Sequence, residues 1–315
     1  MRFLGIVLVA VLLFTACGEL EITEYDTMID GGDMLLPAVI TRPVEKTNLP
    51  VVILVSAEQD RDLLIESPAG SANAFAWMAE QLAKQGVAVL RYDSRPYLLR
   101  SEEKSIAGLM PDYCTKDALA AIALVETLEY ANADSIVIAA HGTAGSLLLD
   151  DANQLPVHGL VLFSPPVLPM DQQILHRLNH QAEYFAQSRL AGSDAMADQI
   201  LTMRHEFRNF FDTLHAGFDD NRTVMGYSAA FWRSLIRKTQ NFTGKMQNAP
   251  FRILIVQGTR DLFNPAELLK PLEEEIKSVP NAAIEYITGM THELYDYMMQ
   301  TFQPDTVKAL KKVLP

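Results

Sequence analysis

The sequence has very few cysteines, two in 315 residues. Cys17 follows the N-terminal apolar run directly, and Cys114 lies in the interior of the chain. If the N-terminal segment is processed at Cys17 and that thiol is modified, Cys114 has no partner with which to form a disulfide. A disulfide framework is therefore excluded, and Cys114 is predicted to be a buried structural thiol.

The chain is also short of positive charge. Lysine and arginine number 26 against 39 aspartates and glutamates, which gives a formal net charge of −13. Removal of residues 1–16 takes away only Arg2, so the remaining 25 basic residues leave a charge of −14. Such a surface argues against nucleic acid as a partner and against membrane binding by charge.

Apolar runs of helix length are lacking except at the N-terminus, where residues 3–14 follow Arg2. This run is too short to cross a bilayer comfortably and is typical of a secretory signal. The stretch FTACG (14–18) resembles a bacterial lipobox, in which Cys17 would be acylated and become the new N-terminus. We therefore expect residues 1–16 to be a signal peptide and the mature protein to be exported. It would then be a lipid-anchored membrane protein of the bacterial cell envelope, at the periplasmic face or cell surface; plain signal cleavage nearby is the alternative.

Beyond the signal, short Val- and Ile-rich runs alternate with longer helical stretches, the pattern of βαβ units. A hairpin is expected from residues 21–26 and 35–41, then strands at 51–56, 87–92, 135–140, 157–163, 251–257 and 283–287, with a helix near 266–278 between the last two strands. From about residue 165 to 250 only helical stretches occur. We predict an α/β fold with a mostly parallel sheet and helices on both faces. Its core would comprise residues 17–164 and 251–315, with a helical cap insertion over 165–250.

Two candidate catalytic residues each follow a predicted strand. Asp261 ends the stretch ILIVQGTRD, and His292 lies in AIEYITGMTHEL, after a short glycine-containing loop. An imidazole held by a carboxylate can take a proton from a nucleophile and return it to a leaving group. Asp261 and His292 are therefore predicted to form an acid–base pair at one end of the sheet.

Three further motifs carry a resemblance to a known family: VSAEQDRD (55–62), RYDSRP (91–96) and AHGTAG (140–145). The chain resembles the α/β-hydrolase superfamily, especially bacterial esterases and serine-aminopeptidase-like members, which typically read GSGPQDRD, RYDKRG and GHSxGG there. The resemblance runs from about Ile22 to the C-terminus. It implies an α/β-hydrolase fold and a triad in the order nucleophile, Asp261, His292.

The resemblance also shows what is missing, because Gly142 stands where the family has its nucleophilic serine. In this fold the nucleophile lies on a strained turn, where a non-glycine residue costs about 1–3 kcal/mol. Glycine adopts the same backbone with little penalty. Gly142 thus preserves the nucleophile elbow, relieves its strain and removes the hydroxyl.

Three replacements for the hydroxyl remain open. Thr143 lies in HGTAG, close to the G-x-S-x-G pattern in a shifted register, and is a possible displaced nucleophile. Ser146 is about one helical turn beyond Gly142 and could face the same pocket. Alternatively, the Asp261–His292 pair could activate water directly; loss of the nucleophile typically leaves about 10³–10⁴-fold catalysis over water.

The oxyanion site implied by the resemblance is altered as well. One backbone donor would come from Thr143, the residue after the nucleophile position. The second would come from the loop that carries Ala57, where the family usually has glycine. Pro96 likewise replaces the glycine after RYDxR. These differences lie at the same end of the predicted sheet.

No cofactor or metal is expected. His176 and His180 share a helix face at positions i and i+4, but no third ligand is evident and Arg177 stands where a zinc-protease motif needs glutamate. No glycine loop has phosphate-binding spacing. An ordinary polar helix surface explains the two histidines.

Two functions follow from these residues. The first is an envelope hydrolase of small esters, thioesters or amides that uses Asp261 and His292 with an unusual nucleophile such as Thr143. The second is a catalytically degenerate lipoprotein that binds a ligand or partner through the old pocket. In either case the expected small molecule is an acyl or amide compound.

Overall fold

The computed structural model describes residues 20–67, 70–188, 191–217 and 223–315. The predicted signal peptide (1–16) and the predicted lipidation site Cys17 lie outside these ranges. Within them, no helix combines the length and the apolar character needed to cross a bilayer.

Eight strands form the central sheet: β1 (Ile22–Asp30), β2 (Leu35–Pro43), β3 (Leu49–Ser56), β6 (Ala88–Tyr92), β7 (Ala131–His141), β8 (Gly159–Phe163), β9 (Arg252–Gly258) and β10 (Ala282–Ile287). Their order across the sheet is β1-β2-β6-β3-β7-β8-β9-β10. β2 runs antiparallel to both its neighbours, and β6, β3, β7, β8, β9 and β10 pair in parallel. The predicted hairpin and mostly parallel sheet are confirmed.

Four short strands lie outside the central sheet. β4 (Leu64–Ser67) pairs antiparallel with β5 (Gly70–Asn73), and β11 (Tyr295–Asp296) pairs antiparallel with β12 (Thr301–Phe302). The second pair comes after the loop that carries His292 and forms a short antiparallel hairpin there.

Helices cover both faces of the sheet. α1 (Ala74–Ala83) and α10 (Pro304–Val313) pack on one face, while α3 (Tyr113–Glu126), α4 (Thr143–Asp150) and α9 (Glu273–Lys277) pack on the other. Successive residues of β3 point to opposite faces of the sheet. Val52 and Leu54 pack in the core under α1 and α10, and Val51 and Ile53 pack in the core under α3, α4 and α9. Strands buried on both faces read as continuous apolar runs, as β3 does. The short α2 (Arg95–Ser101) follows β6.

Four helices lie between β8 and β9: α5 (Met170–Gln187), α6 (Ser193–His215), α7 (Ala229–Lys238) and α8 (Phe242–Asn248). α5 and α6 pack along each other, and α7 and α8 contact α4. Phe207, Phe210 and Phe211 of α6 surround Trp232 of α7 with edge-on ring contacts. This aromatic cluster joins the inserted helices above the end of the sheet where β7 meets α4.

One predicted element is wrong. Residues 266–278 do not form a continuous helix but two 3₁₀ turns, Ala266–Leu268 and Lys270–Leu272, followed by the five-residue α9. Pro271 lies within this stretch; its ring has no N–H to donate to a helical hydrogen bond, which breaks the helix.

Candidate active site

The turn between β7 and α4 holds Gly142 in an unusual backbone conformation. Its φ is +57° and its ψ is −130°. Residues that carry a side chain adopt this backbone region only at a cost in free energy. The Gly142 amide donates to the carbonyl of Phe163 at the end of β8, 2.9 Å away. The residue thus keeps the sharp strand-to-helix turn on which a nucleophile could be displayed, and carries none.

Asp261 and His292 meet at the end of the sheet as predicted from their order along the chain. Asp261 follows β9, and its Oδ1 accepts the backbone amides of Phe263 and Asn264 at 2.8 Å each. Its Oδ2 accepts from His292 Nδ1 at 3.0 Å. The Asp261 side chain is completely buried and that of His292 is 18% exposed. His292 therefore presents its other nitrogen, Nε2, away from the carboxylate.

The electrostatics of this pair favour its charged form. Burial opposes ionisation of Asp261, but the positive charge and hydrogen bond of His292 and the amide of Asn264 outweigh it and lower the pKa of Asp261. Burial likewise disfavours protonation of His292, yet the carboxylate of Asp261 more than compensates and raises the pKa of His292. An opposite charge within hydrogen-bond distance has this effect on both partners.

His141 and Phe263 hold His292 in place. His141 Nε2 donates to the carbonyl of His292 at 2.7 Å, so the proton of the buried His141 ring is on Nε2. Burial, followed by the nearby charge of His292, lowers the pKa of His141 to about 3. The ring of Phe263 stacks on His292 with centroids 4.9 Å apart. Sequence reasoning missed both positioning roles, although each residue adjoins a candidate by one or two positions.

The base of the pair is aimed at Gly142. A Cβ placed on Gly142 would lie 3.6 Å from His292 Nε2 and 3.7 Å from Cε1, which is ordinary van der Waals contact. Of the hydroxyls considered from the sequence, Thr143 is half-buried at the start of α4 and lines the same cavity as His292. Within the described part of the chain, no hydrogen bond joins Thr143 to His292. Ser146 is buried, and its hydroxyl donates to the carbonyl of Pro166 at 2.7 Å.

The two residues named for the oxyanion site, Thr143 and Ala57, lie near Gly142. Thr143 opens α4, so its amide has no partner within the helix. Ala57 is buried immediately after β3, and its carbonyl accepts from the Tyr113 hydroxyl at 2.6 Å. Ala57 and Thr143 line one cavity with Gly142 and His292. The structure therefore brings the predicted oxyanion residues to the same place as the acid–base pair.

The other family-like motifs fix the loops that surround this cavity. Asp93 accepts from the backbone amide and the guanidinium of Arg61 at 2.7–3.1 Å. Arg91 donates to Asp62 at 2.9 Å, which joins the loop after β3 to β6. Pro96 lies in the first turn of α2, where proline is well tolerated, so its substitution for glycine starts a helix.

Two clefts meet at His292. One, of about 480 Å³, contains Gly142, Thr143 and Trp232, and continues into a recess of about 60 Å³ beside Gly142. The other, of about 660 Å³, lies on the side of Asp261 and is lined by Tyr184 and Tyr297 among others. The cleft that includes Gly142 is the one in which a reacting or recognised group would meet His292 Nε2.

His176 and His180 lie on α5, the first exposed and the second half-buried. In the part of the chain that the structure describes, no three His, Cys, Asp or Glu side chains are grouped to hold a metal ion.

The fold is a buried, mostly parallel sheet with helices on both faces. It carries a strand–turn–helix elbow and, at the carboxyl end of the sheet, an Asp–His pair. Together these features define an α/β-hydrolase. The sequence profile of a family described as serine aminopeptidase, S33 (Hydrolase_4) matches residues 68–296. The chain belongs to this family, and the predicted α/β-hydrolase fold is confirmed.

Relatives with known names include esterases. Esterase EstD of Thermotoga maritima is 24% identical over 157 residues, which cover 50% of this chain and 36% of the esterase. The chain thus spans about a third of the length of that curated relative. Est1E from Butyrivibrio proteoclasticus has a similar structure, with a TM-score of 0.57 and 17% identity, covering 91% of this chain and 96% of Est1E. The esterase domain of a Rhodothermus marinus protein has a TM-score of 0.50 and 15% sequence identity, covering 87% of this chain and 91% of that domain.

Proposed function

We propose that this member of the family binds a small acyl-type ligand in the Gly142 cleft and does not carry out covalent acyl transfer. One observation carries the proposal: the position that faces His292 Nε2 is Gly142, which has no side chain, and even a Cβ built there would lie 3.6 Å from that nitrogen. A general base activates a nucleophile only when the two are within hydrogen-bond reach. The first step of acyl transfer therefore has no attacking group.

The two alternative hydroxyls support the same proposal. Ser146 already donates its proton to the carbonyl of Pro166 in the buried core. Thr143 begins α4 and makes no hydrogen bond to His292 within the described residues. An enzyme that used either one would have to rearrange the start of α4.

A second candidate function is hydrolysis of small esters, thioesters or amides by water that His292 activates directly, or through Thr143 after such a rearrangement. The intact 3.0 Å contact between His292 and Asp261 favours it. Turnover of a p-nitrophenyl ester that disappears in His292→Ala would support this candidate, and turnover without covalent labelling would assign it to water.

The test is labelling with a fluorophosphonate, which reacts with activated hydroxyls. The mature protein is compared with Gly142→Ser and with Gly142→Ser/His292→Ala, and labelled peptides are mapped. We expect label only in Gly142→Ser, at position 142. Label on Thr143 or Ser146 of the natural protein, lost in His292→Ala, would overturn the binding proposal.

We further propose that the protein is exported and anchored to an envelope membrane through lipid on Cys17. The support is the apolar run of residues 3–14 followed by FTACG. Metabolic labelling with an alkyne fatty acid in a bacterial host should mark the natural protein and not Cys17→Ala. Equal labelling of the two proteins would contradict the anchor.

A further inference from the structure

Arg177 is a charged side chain that the mechanism above does not use. It lies on α5 and lines both the 480 Å³ cleft and the recess beside Gly142, together with Thr143 and His292. The side chain as a whole is half-buried; its Nε is buried and has no hydrogen-bond partner among the residues that the structure describes. A guanidinium carries five donors in a planar fork and keeps its charge in proteins, so burying it without a partner is costly.

No carboxylate among the described residues forms an ion pair with Arg177, although the charges of Glu58 and Asp261 attract its guanidinium. Glu58, which lines the same cleft, pairs with Arg100 at 3.2 Å. Asp261 is committed to His292 and to two backbone amides. The contact that Arg177 does make is with the face of the Phe263 ring, 5.4 Å from the centroid. The guanidinium is therefore held in position by the ring, and no group among the described residues accepts a hydrogen bond from it.

The rest of the cleft is mostly apolar. Its walls include residues from α4, α5 and α7 and from the loop after β3: Leu63, Leu147, Ile174, Phe231, Trp232 and Leu235. All six residues are less than 5% exposed. A cleft of this kind accepts a hydrocarbon or aryl group. Among the described residues that line it, Arg177 is the cation without an ion pair, and it also lines the recess beside Gly142.

We propose that this cleft binds a monocarboxylate with an apolar tail, its carboxylate paired with Arg177 in the recess beside Gly142. This inference rests on the proposed function, since it names the ligand class of the same site. A carboxylate matches the guanidinium fork with two parallel charge-assisted hydrogen bonds. The absent side chain of Gly142 leaves room for the head group next to the free amide of Thr143.

The charge around the cleft favours one negative charge on the ligand over several. Glu58 and Glu293 also line it, and both would repel a phosphate or a dicarboxylate more strongly than a monocarboxylate. An uncharged ester or amide would leave the guanidinium unpaired. The site therefore selects the acid, which is the product of an ester hydrolysis, over the ester itself.

The experiment compares octanoate with octanamide and methyl octanoate, three ligands with the same tail. Binding is followed at pH 7.5 by calorimetry and by the fluorescence of Trp232, which lines the cleft. We expect octanoate to bind the natural protein about 10- to 100-fold more tightly than octanamide, the range of a charge-assisted pair. In Arg177→Gln this preference should vanish, while Arg177→Lys should keep part of it.

Arg208→Gln, which removes an exposed arginine of α6, serves as the matched control and should retain the full preference. Thermal unfolding and circular dichroism establish that Arg177→Gln is folded. Equal binding of octanoate and octanamide by the natural protein would overturn the carboxylate inference and leave the binding function standing. Hydrolysis of methyl octanoate, lost in His292→Ala, would instead overturn the proposed function.

Discussion

The two halves of the site differ in how completely they match a working hydrolase. On one side Asp261 and His292 are joined at 3.0 Å, and His141 and Phe263 hold the imidazole. On the other side the elbow has the required backbone turn but ends in Gly142, which has no side chain. The Asp261–His292 pair, which makes structural contacts, is intact. The elbow lacks a side chain at Gly142, where a side chain would serve only the chemistry.

This difference separates two reasons for which a residue can be retained. Asp261 caps two backbone amides and Ser146 satisfies a buried carbonyl, so each stabilises the fold whatever the protein does. A serine at position 142 would make no such contribution and would strain the turn. An intact Asp–His pair is therefore weak support for catalysis in this chain. The experiments below test that distinction, beginning with the largest effect.

The largest effect is expected from restoring a hydroxyl. In Gly142→Ser the new oxygen would lie within reach of His292 Nε2, so p-nitrophenyl acetate hydrolysis should rise at least about 10²-fold over the natural protein. The measurement is the steady-state rate of p-nitrophenolate release. His292→Ala in the same background should remove the gain. An unchanged rate in Gly142→Ser, with the fold intact, would mean that other parts of the site have been lost too.

Removing the carboxylate should show how much the Asp–His half contributes to stability. Asp261→Ala leaves two buried backbone amides and His292 Nδ1 without an acceptor, which should lower the free energy of unfolding by about 2–4 kcal/mol. Urea unfolding measures it. Asp305→Ala, an exposed residue of α10, is the control and should change stability little. Equal losses in the two variants would remove the structural explanation for the pair.

A smaller loss is expected from adding only a methyl group to the elbow. Gly142→Ala should cost about 1–3 kcal/mol through its backbone conformation alone, since the new Cβ meets His292 at normal contact distance. Gly192 is a matched control, with φ +83° in open space and in the ordinary left-handed region. Gly192→Ala should cost about 1 kcal/mol. If thermal unfolding gave the same loss for both, the elbow would not be specially strained.

Much of the fold could be predicted from the sequence because its signals are local. The apolar runs that became β3, β7 and β9 are continuous, as strands covered on both faces must be. The placement of Asp261 and His292 followed from the rule that parallel strands end at one edge. The segment 266–278 failed because its helical pattern spans Pro271, and the periodicity of apolar residues does not register a missing N–H.

The part of the site that could not be predicted depends on contacts between distant segments. Arg177 reads as one polar position among several on α5, and only the folded chain brings it to the recess that Gly142 lines. Phe263 and His141 are near their partners in sequence, yet their roles depend on ring orientation. The glycine at position 142 was visible from the motif. That Arg177 forms no ion pair with a described residue could be found only from the positions of the carboxylates around it.

The last test uses His141 and His292, whose pKa values shift in opposite directions. Burial lowers the pKa of His141 to about 3, so the unfolded chain takes up this proton near pH 6.5 and the folded chain does not. The stability that depends on neutral His141 is therefore complete above about pH 6.5 and is lost as the pH falls toward 3, at up to about 1.4 kcal/mol per pH unit. His292 has a raised pKa, so its contribution is complete below about pH 6.5 and is lost as the pH rises through the folded value.

His141→Gln keeps an N–H that can donate to the His292 carbonyl but cannot titrate. Urea unfolding between pH 4 and 8 should show that the advantage of the natural protein over this variant shrinks as the pH is lowered below about 6.5. His292→Gln should give the opposite trend, with the advantage shrinking as the pH is raised. If the stability difference between the natural protein and each variant had the same pH dependence, the two rings would have the same electrostatic environment. Asp261 would then not polarise His292 toward Gly142.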